Sequence, residues 1–312
     1  MTNRFPDHAR VVFIGDSITA AGTWIAHIYD HYLRNFPDSD IRIFNTGISG
    51  GSTVSALKYF EENIMVYKPT HAVIMLGMND VWRDNYEVDE NGVNLRHDHA
   101  RWMEALTRYD QGMRTLAEKL QARGVSMTFV SPTCYDESTN VRLLDKVGCD
   151  AALEYAGELS RRLAEETGSG YVNMHAPLRL MNAAKTVIRD DRVHPVEEGH
   201  VLLAHIFLHA QGLVSEPTPL TMDAMPKADD LLPANLARAK AELELRKMWN
   251  AEWLILREQP RDVEARRAFL SSYSGPSPYF DMLRDHYIQN IDRFDEMKSI
   301  ERQCVEDCLN GK

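Results

Sequence analysis

The chain has 312 residues, 44% hydrophobic and 26% charged, the balance of an ordinary globular protein and a length for one large domain with an appendage. A formal net charge of −11 argues against a nucleic-acid binder, which needs clustered Lys and Arg, and suits a neutral or weakly polar ligand. No apolar run approaches the ~20 residues of a membrane span, and the opening MTNRFPDHAR lacks the apolar segment of a secretion signal, so the expected compartment is the cytoplasm.

From residue 10 to residue 210, strand and helix patterns alternate. RVVFIG at 10–15 is a continuous apolar run of the buried-strand kind, 24–36 has helical spacing, and 41–44 is the next strand. A helix is expected over 53–67, a strand at 71–77 (HAVIMLG) and a long helix over 98–123, ended by Gly124. Strand 125–131, helix 145–167, a short strand at 171–173 and helix 197–210 complete the series. Such alternation buries a mostly parallel sheet between two helical layers, so residues 1–211 read as one three-layer α/β/α domain.

Residues 212–233 contain four prolines and little periodicity, the marks of a linker or surface strap. Beyond them, 234–312 reads as a helical extension. Leu245, Met248, Trp249 and Leu256 form one apolar stripe, and Phe280, Leu283, Tyr287, Ile291, Phe294 and Met297 a second, with a break at SSYSGPSP. Such stripes need a cover: the main domain, a second copy in a homo-oligomer, or the mouth of a site beneath a lid. Cys134, Cys149, Cys304 and Cys308 show no paired zinc spacing and read as free thiols.

Gly15-Asp16-Ser17-Ile18 stands at the C-terminal end of the first strand, the edge where parallel sheets place ligands. A serine hydroxyl is a poor nucleophile until a base takes its proton, and an imidazole does this best when a carboxylate holds its other nitrogen. Asp191-Arg192-Val193-His194, just before the helix at 197, has a spacing that can set Asp191 against one ring nitrogen and leave the other for Ser17. By itself the pair equally suits an ordinary Asp/His contact near a helix start. Segments 45–51 (NTGISGG) and 77–80 (GMND) follow the second and third strands, so both emerge at the edge that carries Ser17. A glycine N–H and the Asn79 amide, converging with the Ser17 N–H, would form a three-donor oxyanion hole.

These four blocks, GDSI, NTGISGG, GMND and DRVH, resemble in content and order those of the SGNH (GDSL) hydrolases, over about residues 10–210. The resemblance implies a flavodoxin-like α/β/α fold, no cofactor or metal, and hydrolysis of an acyl ester. Carried over by position, Ser17 looks like the nucleophile, with Asp191 and His194 as its partners. Ser17, Gly50 and Asn79 look like the oxyanion donors; Gly50 rather than Gly47 fits because the family's glycine closes N-x-G-I-x-G. The stretch GMNDVWR is also similar to the family's acetylxylan esterases, which implies a small-molecule or oligosaccharide ester, probed by Asp16, Trp82 and Arg83, as substrate. With no secretion signal read in the opening residues, the expected substrate is intracellular, such as an imported acetylated oligosaccharide. Lipase, lysophospholipase and thioesterase activities belong to the same family and stay open.

Two other chemistries compete. Gly47-Ile48-Ser49-Gly50-Gly51 satisfies the G-x-S-x-G elbow of α/β-hydrolases, but a single strand precedes it and no HGGG-type segment lies upstream. His175, Asp190, Asp191, His194, Glu198 and His200 crowd one stretch without a zincin spacing, and His205 and His209 continue it at helical intervals. Trp24 reads as pocket lining or core. A non-catalytic binding protein would leave all four blocks unexplained.

Overall fold

Short runs of β-branched and aromatic residues, each closed by Gly, Asn or a turn, set the framework of the computed structural model. It describes residues 3–96, 98–139, 144–219, 221–259 and 262–310, without the side chains of residues 223, 228 and 308. The Cys308 thiol thus lies outside the described residues.

In chain order the main elements are β1 (Arg10–Gly15), α1 (Ser17–Ala20), α2 (Thr23–Asn35), β2 (Arg42–Asn45), α3 (Thr53–Lys58), β3 (His71–Met75), α4 (His99–Gln121) and β4 (Ser126–Val130). There follow α5 (Cys149–Thr167), β5 (Gly170–Val172), α6 (His175–Ala184), α7 (Glu197–Ala210), α8 (Pro233–Leu254), α9 (Val263–Ser272), α10 (Pro278–Asn290) and α11 (Phe294–Leu309). The five strands are parallel, in the order β2-β1-β3-β4-β5. Side chains alternate across a strand. Val11, Phe13, Val73 and Met75 thus share one face, covered by Trp24, Ile25 and Ile28 of α2 and Leu202, Leu203 and Phe207 of α7. Val12, Ile14 and Ile74 point to the other face, and α3, α4 and α5 pack side by side in that layer. This is the three-layer α/β/α arrangement expected from the sequence.

Register decides where the loops emerge. Gly15 lies opposite Met75 and Phe13 opposite Asn45, so β1, β2 and β3 end nearly level and the segments carrying Ser17, Gly50 and Asn79 leave from one edge.

Three local departures have identifiable causes. The single helix expected over 53–67 is α3 followed by a wide turn at Phe60–Ile64 and a tight one at Met65–Tyr67. There the buried Asn63 amide donates to the Thr46 carbonyl at 2.7 Å, tying the chain to the loop after β2 where a regular helix would turn away. Helix α5 starts at Cys149, not 145, because Gly148 takes a left-handed conformation (φ 87°) as its cap. Helix α6 has no counterpart in the sequence reading; Pro177 sits in its first turn, where a missing N–H costs no intrahelical bond.

The chain divides into two compact units, Met1–Leu236 and Ala237–Lys312. Residues 212–233 fall in the first, where Met222 and Met225 enter the main core. The backbone N–H of Leu232 donates to Asp30 at 2.7 Å, and the Asn235 amide donates to the Ala26 carbonyl at 2.9 Å. In the second unit the two apolar stripes face each other: Leu245, Met248 and Leu256 pack with Leu270, Leu283, Tyr287 and Phe294. Within this unit the two stripes thus pack into one apolar cluster, with Trp249, Phe280 and Met297 partly buried against it. Among the described residues no helix is long and apolar enough to cross a membrane.

Candidate active site

Strand β1 passes into α1 through a turn that only glycine fits at residue 15, where a Cβ would meet Thr19 Oγ1 at 2.1 Å and the Met75 carbonyl at 2.9 Å. Asp16 then caps α1, its Oδ1 accepting the Ile18 N–H at 3.0 Å, and Ser17 opens the helix. Among the described residues no protein group accepts the Ser17 N–H. Asp16 is only 3% exposed. Burial raises its carboxyl to about 6; the Ile18 N–H, His194 and Arg83 pull it down and Asp80 pushes it further up.

The second component is the loop 187–196, closed by a bridge between Ile188 and Pro195 and by bonds from Val196 N–H to Val187 (2.9 Å) and Arg189 N–H to His194 (2.8 Å). At its tip, Asp191 Oδ1 accepts the backbone N–H groups of Val193 (3.0 Å) and His194 (2.9 Å), while Oδ2 lies 2.7 Å from His194 Nδ1. Burial resists ionisation of Asp191, but the two backbone donors and the imidazole outweigh it and hold the carboxyl below its usual range. An ionised carboxylate can only accept, so in the neutral imidazole the proton belongs on Nδ1 and Nε2 is left as the acceptor. Nε2 stands 2.8 Å from Ser17 Oγ.

Between the two partners sits Arg192, buried and in the left-handed region (φ 64°). Its guanidinium donates to the carbonyls of Asp136 (2.7 Å) and Thr139 (2.8 Å), and its own carbonyl accepts the Asp136 N–H at 2.9 Å. A non-glycine residue persists at positive φ only where the surroundings over-determine it, and here three bonds do so. Sequence reasoning missed Arg192; its partners are backbone carbonyls, which leave no signature.

Gly50 also has positive φ (68°), a Cβ there would meet nothing within 4 Å, and among the described residues no protein group accepts its N–H. Asn79 donates one amide hydrogen to the Gly51 carbonyl at 2.8 Å, which leaves the other available, and its Oδ1 receives Arg83 Nη2 at 3.4 Å. Asp80 braces the two loops, its Oδ1 accepting both the N–H (2.9 Å) and the hydroxyl (2.7 Å) of Thr53. This brace is a second residue that the sequence reading did not single out.

The remaining sequence candidates separate clearly. Trp82 adopts φ 51°, with the guanidiniums of Arg101 and Arg108 over its ring at 5.2 and 5.6 Å. Trp24 is wholly in the core, edge-on to Phe13 and Phe207. Ser49 is buried beside the Gly50 turn, and it is Ser17 that bonds His194. Of the crowded acids and histidines, His175 pairs with Asp150 at 2.9 Å and His200 is buried within α7, its ring pushed down to about 3 by burial. Among the described residues no group of three or more His, Cys, Asp or Glu is arranged to hold a metal. Cys134 and Cys149 are buried thiols that burial pushes up, the latter to about 12, which makes both poor nucleophiles.

A hydroxyl, an imidazole and a carboxylate in series, beside unclaimed N–H donors at the carboxyl edge of a parallel sheet, is the equipment of serine-dependent carboxylic ester hydrolases. Residues 13–202 match the model of the GDSL-like Lipase/Acylhydrolase family, and the chain belongs to it. An acetylxylan esterase from Geobacillus stearothermophilus is 28% identical over 220 residues, 65% of this chain and 94% of that protein. The crystal structure of the acetylxylan esterase Axe2 from the same organism superposes with a TM-score of 0.54 at 24% identity, covering 70% of this chain and 100% of Axe2. A gut microbial diltiazem-metabolizing enzyme, BT4096, matches over 98% of this chain and 96% of its own, with a TM-score of 0.75 at 17% identity. That likeness shows a shared fold along nearly the whole length, the helical extension included.

Proposed function

We propose that this esterase removes short acyl groups, acetyl foremost, from carbohydrate esters through Ser17, His194 and Asp191. The observation that carries the reading is the continuous relay of 2.8 Å from Ser17 Oγ to His194 Nε2 and 2.7 Å from Nδ1 to Asp191. Ser17 Oγ attacks the ester carbonyl as Nε2 takes its proton, and Asp191 stabilises the imidazolium. The oxyanion receives the N–H groups of Ser17 and Gly50 and the free amide hydrogen of Asn79. His194 then protonates the leaving alcohol, and water, deprotonated by the same nitrogen, cleaves the acyl-enzyme and restores Ser17. The choice of acetyl and of a sugar alcohol draws its support from the acetylxylan esterase relative, 28% identical over 94% of its length. Asp16, buried next to Ser17 in the chain, acts by capping α1 rather than by touching substrate.

The test is hydrolysis of nitrophenyl esters graded from acetate to long chain, by the natural protein and Ser17→Ala. Activity strongest on acetate and lost in a folded variant is expected. Retained activity in Ser17→Ala would refute the nucleophile, and a preference for long chains would refute the acyl group.

A further inference from the structure

The proposed mechanism needs Asn79 to offer an N–H to the oxyanion, yet an asparagine amide can rotate and exchange its oxygen for its NH2. A rotated amide would present a carbonyl oxygen to developing negative charge and oppose the reaction. The Gly51 carbonyl favours the productive orientation from one side, accepting Nδ2–H at 2.8 Å. On the other side Arg83 Nη2 donates to Oδ1 at 3.4 Å. Rotation would set oxygen against the Gly51 carbonyl and NH2 against a cation, so both contacts discriminate in the same sense.

Arg83 is free for this task. The carboxylate next to it in the chain, Asp84, is engaged by other arginines: Arg96 and Arg101 each pair with it at 2.9 Å. Among the described residues Arg83 has no carboxylate within ion-pair distance and its hydrogen bond is to Asn79. It is half-buried, so its charge is incompletely screened, and its influence reaches Asp16 beside the nucleophile. The backbone sends it there: Trp82, at φ 51° and with Arg101 and Arg108 over its ring, reverses the chain so that residue 83 reaches back to residue 79. A bulky residue at positive φ is costly, and the cost is met at a step adjoining the site.

We propose that Arg83 is a positioning residue of the oxyanion hole: it holds the Asn79 amide with an N–H toward the reacting carbonyl, and Trp82 is the strained turn that delivers it. The inference rests on the reading of Asn79 as an oxyanion donor. Arg83 also polarises the amide it grips, which strengthens the N–H offered to the oxyanion.

The experiment is a double-mutant cycle on acetate-ester hydrolysis with Arg83→Met, Arg83→Lys and Asn79→Ala, each checked for folding by circular dichroism and thermal melting. Asn79→Ala is expected to lower kcat about a hundredfold or more, as loss of an oxyanion donor does. Arg83→Met should lower kcat roughly tenfold or more with KM changed less than about threefold, the signature of a transition-state interaction. Arg83→Lys, which keeps a donor on a flexible stem, should recover part of the loss. In the Asn79→Ala background Arg83→Met should change kcat by less than about twofold, since nothing remains to position. Equal effects in both backgrounds, or a raised KM with kcat intact, would overturn the proposal in favour of a direct substrate contact. If Arg83→Met does not fold, the same cycle is read with Arg83→Lys. An Asn79→Ala variant of full activity overturns the proposal as well. Failure of the wider reading is distinct, because it would appear as activity retained in Ser17→Ala.

Discussion

Asp191→Asn replaces one atom, and the structure states which way the new side chain must face. Oδ1 accepts two backbone hydrogens, from Val193 and His194, so the carboxamide keeps its oxygen there. The NH2 then falls on the Oδ2 position, 2.7 Å from His194 Nδ1. A donor now faces that nitrogen, which must give up its own hydrogen and become an acceptor. The ring proton moves to Nε2, the atom 2.8 Å from Ser17 Oγ, and the base can no longer take the serine proton. The same tautomer trap in another triad lowers kcat by about 10⁴, roughly 5 kcal/mol of barrier at 1.36 kcal/mol per decade. Stability should fall modestly: both loop-capping hydrogen bonds survive, but to a neutral oxygen, and the stabilisation of the charged carboxylate is lost. The assay is steady-state hydrolysis of nitrophenyl acetate, with urea unfolding as the control. A folded Asp191→Asn within tenfold of the natural kcat would refute the assignment of Asp191 as the group that sets the His194 tautomer.

Two further outcomes follow from groups around Ser17 and the Asp191–His194 loop. Burial raises Asp16 from 3.8 to about 6, so the folded protein retains a proton that the unfolded chain has lost; its contribution to stability falls as pH rises from about 4 to 6, by roughly 3 kcal/mol. Asp16→Asn keeps the cap and carries no charge, so its unfolding free energy should gain on that of the natural protein by about this amount from pH 4 to pH 7. A difference flat with pH would refute the raised carboxyl. Arg192→Ala strands the Asp136 and Thr139 carbonyls and loosens the Asp191–His194 loop, with an expected loss of about 2–3 kcal/mol in urea unfolding and at least about tenfold in kcat. An unchanged kcat would show that the loop holds its geometry without the clamp.

Much of the candidate site's layout was within reach of the sequence because its determinants are local. Asp191 and His194 are three residues apart in one loop, and the GDSI turn follows its strand directly, so short-range geometry limits where these groups can point. The supports were not within reach, because each is a contact between distant segments. Arg192 is held by residues 136 and 139, and Asp80 braces a loop through Thr53. Asn63, in the wide turn that replaces regular helix after Lys58, donates to the distant Thr46 carbonyl at 2.7 Å. The C-terminal stripes were visible as periodicity, yet periodicity marks a face as apolar without naming what covers it.

The sequence by itself determined the alternation of strands and helices, hence a parallel sheet with one edge for ligands, because hydrophobic periodicity and turn residues act over a few positions. It also determined which chemical groups stand at that edge. Tertiary structure decided the level register of β1, β2 and β3, the junction of a serine at 17 with an imidazole at 194, and the facing of the two C-terminal stripes. The physical reason is common to all three. Each is a pairing between segments far apart in the chain, chosen by the packing of complementary surfaces and by the need of buried polar groups for partners, conditions that exist only once the whole fold has closed.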